Sequence, residues 1–424
     1  MEGRARRRRH LGRGSLATVV AAGVFGITGA ASTTPAGPSG AAAAAAPLTV
    51  VMVTSLTGPG APEFGQSAAG FDARVALQNA EGGVHGHKIH GIVLDDQTSP
   101  TQVPIAVQDA LAKGAIGIVS DSPLFYLAAK YPNQADVPVT GGFFDGPEWG
   151  TQPYTNMFAS DYGSIDPKYP VNRATGVFLR ARGGRVICAY GYGVSPSSTR
   201  SATAVVDSFV HAGGKEGVLD TSVSYGSVDM TAPALVARQR GCDTFYGGLG
   251  DSSNFALATA LEQAGIRPKV IIFPTGYEPG VIGSPAWATL QGDVFDSEFH
   301  PFQVPDAGTK QMQAALEKYA GFTATQFPSF GQYESWLGAD LMIKGLELAG
   351  PDPTHTGVVH ALRNLKSYNG NGILPESINY STIFGHDLPK QCLWRMEAEK
   401  AGFVPLTTQP TCGSDIPGSS TAPP

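Results

Sequence analysis

What this chain has little of narrows its reading first. Past Pro47 no apolar run approaches the roughly 20 residues needed to cross a bilayer. The 424 residues include only four cysteines. No two of them form a Cys-x-x-Cys pair, and none stands with histidine at zinc spacing. There is no Gly-x-Ser-x-Gly elbow, and no cysteine lies beside a usable base. Gly191-Tyr-Gly193 is half of a dinucleotide fingerprint, without its third glycine or downstream acid. With no nucleophile–base set and no cofactor motif, neither a cofactor nor catalysis is expected.

The N-terminus differs from the rest. Arg4, Arg6 to Arg9 and Arg13 precede an apolar run from Leu16 to Ala31, and small residues follow through Ala41–Ala46. A basic start, an apolar middle and small-residue cleavage options describe an export signal. Arg8-Arg9 is only a loose twin-arginine match, so the export route stays open. No cysteine near the cleavage options offers a lipid anchor. Losing residues 1–46 removes six of 29 basic residues and one of 35 acidic, leaving 23 against 34 and a net charge of −11. So acidic a body is a poor partner for nucleic acid.

In an exported chain an even cysteine count suggests disulfides. Cys188 ends a predicted strand and Cys242 precedes another, so adjacent strands would bring them together. Cys392 and Cys412 would then clip the C-terminal tail; the other connectivities remain open at this level.

From Leu48 onward strands and helices alternate. Strands are expected at Leu48–Val53, Ile89–Leu94, Ile116–Val119 and Val137–Thr140, with helices at Gln66–Asn79, Thr101–Ala112 and Leu124–Tyr131. A second series runs from Arg185–Ala189 to Lys269–Phe273, and a strand-like stretch spans Asp293–Phe299. Helices are then expected at Ala307–Tyr319 and Gln332–Ala349, and Cys392–Met396 with Gly402–Leu406 reads as a hairpin. Alternation of this kind implies parallel sheets covered by helices. The fold class expected is α/β, with two doubly wound lobes of ordinary domain size.

Five loops after predicted strands repeat one composition of small hydroxyls, glycines and a few aromatics: 55–61, 120–122, 140–142, 190–195 and 274–278. In open α/β sheets this edge holds small ligands. Backbone N–H groups there favour anions, which makes Ser120-Asp121-Ser122 and Thr140-Gly141-Gly142 candidates for a carboxylate. Any one such loop is explained as a turn; five at strand ends in two lobes are not.

Ser55-Leu-Thr-Gly-Pro59, Gly65, Gly70, Asn79-Ala-Glu-Gly-Gly-Val-His-Gly86 and Asp95-Asp96 resemble the opening of type I periplasmic ligand-binding proteins of the leucine/branched-chain amino-acid type. These are substrate-binding proteins of ABC transporters. The Trp336-to-Gly350 helix is similar to the family's late helix. The resemblance implies two lobes joined by a three-crossing hinge and closing on a small molecule. It places the first lobe at 48–160 with 293–365 and the second at 161–292 with 366–412, while residues 413–424, rich in Ser, Pro, Gly and Thr, read as a disordered tail. It further implies a monomer, an ABC permease as membrane partner, and capture of an amino acid or a related carboxylate or amide. Ser120, Asp121, Ser122, Thr140, Gly141 and Gly142 would bind from the first lobe; Tyr192, Thr275, Tyr277 and Glu278 would complete the site from the second. The chain departs from the family where an acid for the ligand's ammonium is usual: Thr275 stands there, with Glu278 three residues on and Asp121 or Asp251 as substitutes. The alternatives are a ligand-sensing domain without a transporter and, last, a secreted enzyme.

Other groupings are weaker. His85, His87 and His90 lie close in sequence but bring no fourth ligand, and no metal site is expected. Asp95-Asp96 reads as a structural strand end. Phe143, Phe144 and Trp149 could wall a cleft or fill a core.

Overall fold

A computed structural model describes residues 45–142, 146, 148–149, 152–161, 171–383 and 392–419. Residues 1–44, which hold all but the last two residues of the expected export segment, and Phe143 and Phe144 lie outside them. No helix among the described residues is long and apolar enough to cross a membrane.

The first sheet contains β1 (Leu48–Thr54), β2 (Ile89–Asp95), β3 (Gly117–Asp121), β4 (Val139–Gly141) and β5 (Met157–Ala159). All run parallel, in the order β2-β1-β3-β4-β5. β1 sits inside the sheet, and its Val50, Val51, Met52 and Val53 are buried, as a strand covered on both faces requires.

The second sheet starts with β6 (Val186–Tyr192), β7 (Lys215–Val223), β8 (Thr244–Gly248), β9 (Val270–Phe273) and β10 (Val294–Ser297), parallel in the order β7-β6-β8-β9-β10. The two windings match strand for strand. Beyond β10 the second sheet carries an antiparallel edge of β11 (Cys392–Glu399), β12 (Gly402–Pro405) and β13 (Thr411–Cys412). The expected hairpin is the β11–β12 pair, closed at Glu399 and Gly402.

Both disulfides form as strand adjacency suggests. Cys188 bonds Cys242, and Cys392 bonds Cys412. The helix Thr231–Arg240 stops at Gly241 in the left-handed region, φ 68°, which turns the chain so that Cys242 faces β6.

The lobe boundaries differ from the sequence reading at three places. β10 hydrogen-bonds to β9 and β11, so the chain does not return to the first lobe near Asp293 but only after Ser297. Residues 366–383, expected in the second lobe, pack on the first: Tyr368 Oη donates to the Leu337 carbonyl at 3.0 Å, Tyr380 donates to the Ala159 carbonyl, and its ring meets Phe158 edge-on. The expected disordered tail is docked through residue 419, with Asp415 bridging Asn172 and Ile416 N–H donating to the Val171 carbonyl at 2.8 Å. Residues 420–424 lie outside the described ones.

The helix expected over Leu124–Tyr131 is also broken. A 3-10 turn, Phe125–Leu127, and a helix, Lys130–Gln134, stand instead. Pro132 has no N–H to give Ala128, so one continuous helix would lose a bond there.

The helix Phe330–Ala349 covers the first sheet and packs on the helix Ser67–Ala80. Their contact depends on Gly70, where a Cβ would stand 2.2 Å from the Gln332 carbonyl oxygen and 2.4 Å from Ser335 Oγ. The first neighbour is backbone and cannot turn aside. Gly70→Ala is expected to cost ~1–3 kcal/mol by overpacking, read as a lower urea midpoint at unchanged m.

Candidate functional site

In each sheet the winding reverses between two strands, β1 and β3 in the first and β6 and β8 in the second. The carboxyl ends of such strands open a crevice, and the loops at both reversals carry the polar residues singled out from the sequence.

In the first lobe those loops are internally braced. Ser55 Oγ donates to Asp96 Oδ1 at 2.6 Å, and Asp96 also accepts the Thr98 N–H at 2.8 Å. Thr57 Oγ1 donates to Asp95 at 2.6 Å. Asp95-Asp96 therefore fastens the loop after β1, the structural part expected of it. Ser120, Asp121, Ser122 and Thr140 are all fully buried. Thr140 Oγ1 spends its proton on the Gly338 carbonyl at 2.7 Å. Ser122 Oγ accepts the Leu124 N–H and also bonds Asp96. Gly142 N–H donates to the Ser120 carbonyl at 3.2 Å, and Gly141, at φ +140°, leaves no room for a Cβ against that carbonyl. Ser120 Oγ is the hydroxyl of this set with no partner among the described residues.

From the second lobe Tyr192 reaches the crevice at the end of β6. Its hydroxyl donates to Ser253 Oγ at 2.8 Å and accepts the Gly250 N–H at 2.9 Å, and its ring lies tilted by 36° against Tyr225 at 4.5 Å. Thr275 Oγ1 donates to the Leu249 carbonyl at 3.1 Å. Tyr277 is buried between Phe327, stacked at 4.9 Å, and Phe403, edge-on at 5.2 Å, so its ring serves as core more than as an open wall. Trp149 is core as well, beside Phe125.

Two glutamates join the lobes in a reciprocal way. Glu63, on the first-lobe helix Ala61–Phe64, accepts the N–H of Asp251 at 2.8 Å; Asp251 opens the second-lobe helix Asp251–Gln263. Glu278, from the second lobe, accepts the N–H of Phe330 at 2.8 Å; Phe330 opens the first-lobe helix Phe330–Ala349. Each carboxylate thus caps the positive end of a helix belonging to the other lobe. At the rim Tyr126 Oη donates to the Val194 carbonyl at 2.7 Å.

The caps come with repulsion. Burial first, and then the Asp251 charge, push Glu63 from an ordinary 4.5 to about 8. Burial pushes Asp251 from 3.8 to about 6. Burial and then Asp251 hold Glu278 well above the usual carboxylate range, and burial does the same to Asp121. Among the described residues no lysine or arginine pairs with any of these four acids. A closed seam this acidic suits a guest with a positive group.

The sequence reading named Glu278, Asp121 and Asp251 as possible acids but not Glu63. One glutamate on a four-residue helix carries no periodicity that could have marked it. Two of the three clustered histidines bind carbonyls: His85 contacts Glu347 O at 2.8 Å, and His87 contacts Ala46 O and Pro351 O.

A family model described as periplasmic binding protein matches residues 47–402. A search among curated protein sequences finds no match. Solved structures share the fold at low identity. The isoleucine-bound branched-chain amino acid transporter substrate-binding protein LivJ from Streptococcus pneumoniae superposes with a TM-score of 0.69 at 13% identity, covering 86% of this chain and 99% of its own. A benzoate-bound solute-binding protein from R. palustris gives 0.67 at 16%, over 88% and 99%. A fatty acid ABC transporter substrate-binding protein from Thermomonospora curvata gives 0.67 at 16%, over 86% and 92%. With a family model spanning nearly all of the described residues and two matching lobes, the chain belongs to the periplasmic binding protein family and has its type I fold.

Proposed function

We propose that this protein is an exported solute receptor that captures a small molecule between its lobes and hands it to an ABC-type permease, acting as a monomer and without catalysis. The observation that carries the reading is the pairing of the two sheet reversals across one seam, with Glu63 and Glu278 reaching from each lobe to a helix of the other. Such residues make contact only when the lobes are shut, as a clamp on a guest requires. The ligand class is an amino acid or a related amine. Glu63, Asp251 and Glu278 supply the negative partners that Thr275 cannot, and Ser120 has a hydroxyl to spare for the guest's carboxylate or amide.

A thermal-shift screen of amino acids, amines, amides and aromatic acids tests this. At a free concentration about one hundred times Kd, a true ligand adds about 2.7 kcal/mol to stability and should narrow the scattering envelope. Amine-bearing solutes are expected to dominate the hits, and Glu278→Gln to weaken them. Hits confined to neutral or anionic solutes would overturn the ligand class, and product release at steady state would overturn the receptor itself.

A further inference from the structure

The two cross-lobe caps bring acids together with nothing positive to meet them. Glu63, Asp251 and Glu278 are all buried, and among the described residues none of the three forms an ion pair. The Glu63 carboxylate seats closely on the other lobe: a Cβ at Gly250 would stand 2.2 Å from its Oε1. Asp251, whose N–H it accepts, brings a second carboxyl to the same contact. The charges of both act on Glu278.

The other titratable groups around the caps are phenols and further acids. Tyr192 and Tyr225 face Glu63, and Tyr277 faces Glu278. Burial holds all three phenols above their ordinary 10, so they stay neutral through pH 9. The helices Asp251–Gln263 and Phe330–Ala349 both pack on Ala61–Phe64. On the second of these, the buried Glu334 meets the charges of Asp161, Asp121 and Glu298. Arg74, on the helix Ser67–Ala80, is taken by Asp340 at 2.7 Å.

A buried carboxylate without a counter-charge is heavily penalised. The N–H groups at the two helix starts offset part of that penalty, and like charges add to it. A proton on the carboxyl removes the charge yet leaves an oxygen to accept the same N–H. Both caps therefore survive protonation. Opening the lobes returns the three acids to water, where they ionise at ordinary pH.

We propose that Glu63, Asp251 and Glu278 make lobe closure proton-coupled: the clamp shuts on a guest or on protons, and opens when these acids ionise with no guest to meet them. The proposal rests on the reading that the lobes open and close on a solute. Its sign follows from burial. The closed form binds protons more tightly than the open form, so acid closes and alkali opens. Each proton taken up on closure shifts the open-to-closed ratio tenfold per pH unit. A cationic guest and protons then compete for the same carboxyls, and an acid-closed receptor would be shut to solute.

Small-angle scattering of the full chain without solute, at pH 5, 7 and 9, tests this, with far-UV circular dichroism alongside. The radius of gyration should be smallest at pH 5 and largest at pH 9, with helix content unchanged. Glu63→Gln, which keeps an acceptor for the Asp251 N–H, should stay compact at pH 9. Glu278→Gln, acting on the other cap, is the second variant should the first fold poorly, and should shift the same way. An envelope that ignores pH would overturn the switch, as would expansion in acid or expansion accompanied by lost helix. Folded variants that open just as the wild type does would overturn it too. No solute enters the measurement, so a solute that compacts the chain at pH 9 while pH alone does nothing would sink the switch and leave the receptor standing.

Discussion

Between pH 8 and pH 5 the closed protein, without a guest, should become more stable, not less, by ~3–5 kcal/mol. Glu63 is one cause, and Glu278 and Asp121, which burial also holds well above the usual range, act with the same sign. In the unfolded chain Glu63 titrates near 4.5; in the closed seam burial and the Asp251 charge push it up to about 8. A carboxyl whose pKa rises on folding binds its proton more tightly in the folded state. Its stabilising contribution is complete below 4.5 and is lost as pH climbs through 8. Asp251 adds the same sign over a lower window, from 3.8 to about 6. Asp95 works the other way. Partial burial opposes its ionisation, but the Thr57 hydroxyl and the N–H groups of Gln97 and Thr57 outweigh it and hold the carboxyl below 3.8. Its contribution is present above 3.8 and disappears in stronger acid. Stability should therefore peak in mild acid. Melting curves across pH 4–9 check this, and Glu63→Gln separates the cause. The amide still accepts the Asp251 N–H but carries no charge, so the variant should gain stability at pH 8 and show a flatter profile. A wild-type profile that rises toward pH 8 would refute the account. A cationic guest would reverse the balance by ionising Glu63, so binding at pH 7 should release protons.

Removing the Cys188–Cys242 bridge is the second large effect. The bond spans 54 residues, and a closed loop of that length restricts the unfolded chain by about 4 kcal/mol in the chain-entropy model. Cys188 is fully buried and Cys242 nearly so, so replacing both with alanine also thins the packing around β6. The bridge ties β6 to the start of β8, the two strands flanking the second lobe's reversal, and its loss should loosen the backbone that carries Tyr192. The double variant is expected to lose about 4 kcal/mol by urea denaturation and to bind solute more weakly. The Cys392–Cys412 pair spans 20 residues and should cost less, about 3 kcal/mol. Equal losses for the two pairs would show that loop length is not what matters.

Much of this architecture was legible in the chain because its cues are local. β-branched runs mark β1, β2 and β6, and the limits of the helix Ala307–Tyr319 can be read directly from its pattern. What stayed hidden was set by distant partners. β10 is four residues long and reads equally well into either lobe; only its hydrogen bonds to β9 and β11 decide. Residues 366–383 carry no lobe signal until Tyr368 and Tyr380 find carbonyls on the first lobe. At the candidate site, loop chemistry pointed to Ser120, Thr140, Tyr192 and Glu278, but not to the partners they find in the fold. Thr140 has the hydroxyl expected of a ligand contact and gives it to Gly338. The glutamates and helix ends that meet across the seam are separated by 188 residues in one case and 52 in the other, beyond the reach of any spacing rule.

The position of β1 has a bearing on biosynthesis. Among the described residues it is the first strand made, and it lies between β2 and β3, so the leading sheet can begin to assemble early. One face of that sheet nevertheless waits for the helix Phe330–Ala349, which the ribosome delivers only after nearly all of the second lobe. Throughout that interval a nascent chain would present an uncovered apolar surface. Until that helix arrives, the open face of the leading sheet lacks its intramolecular cover.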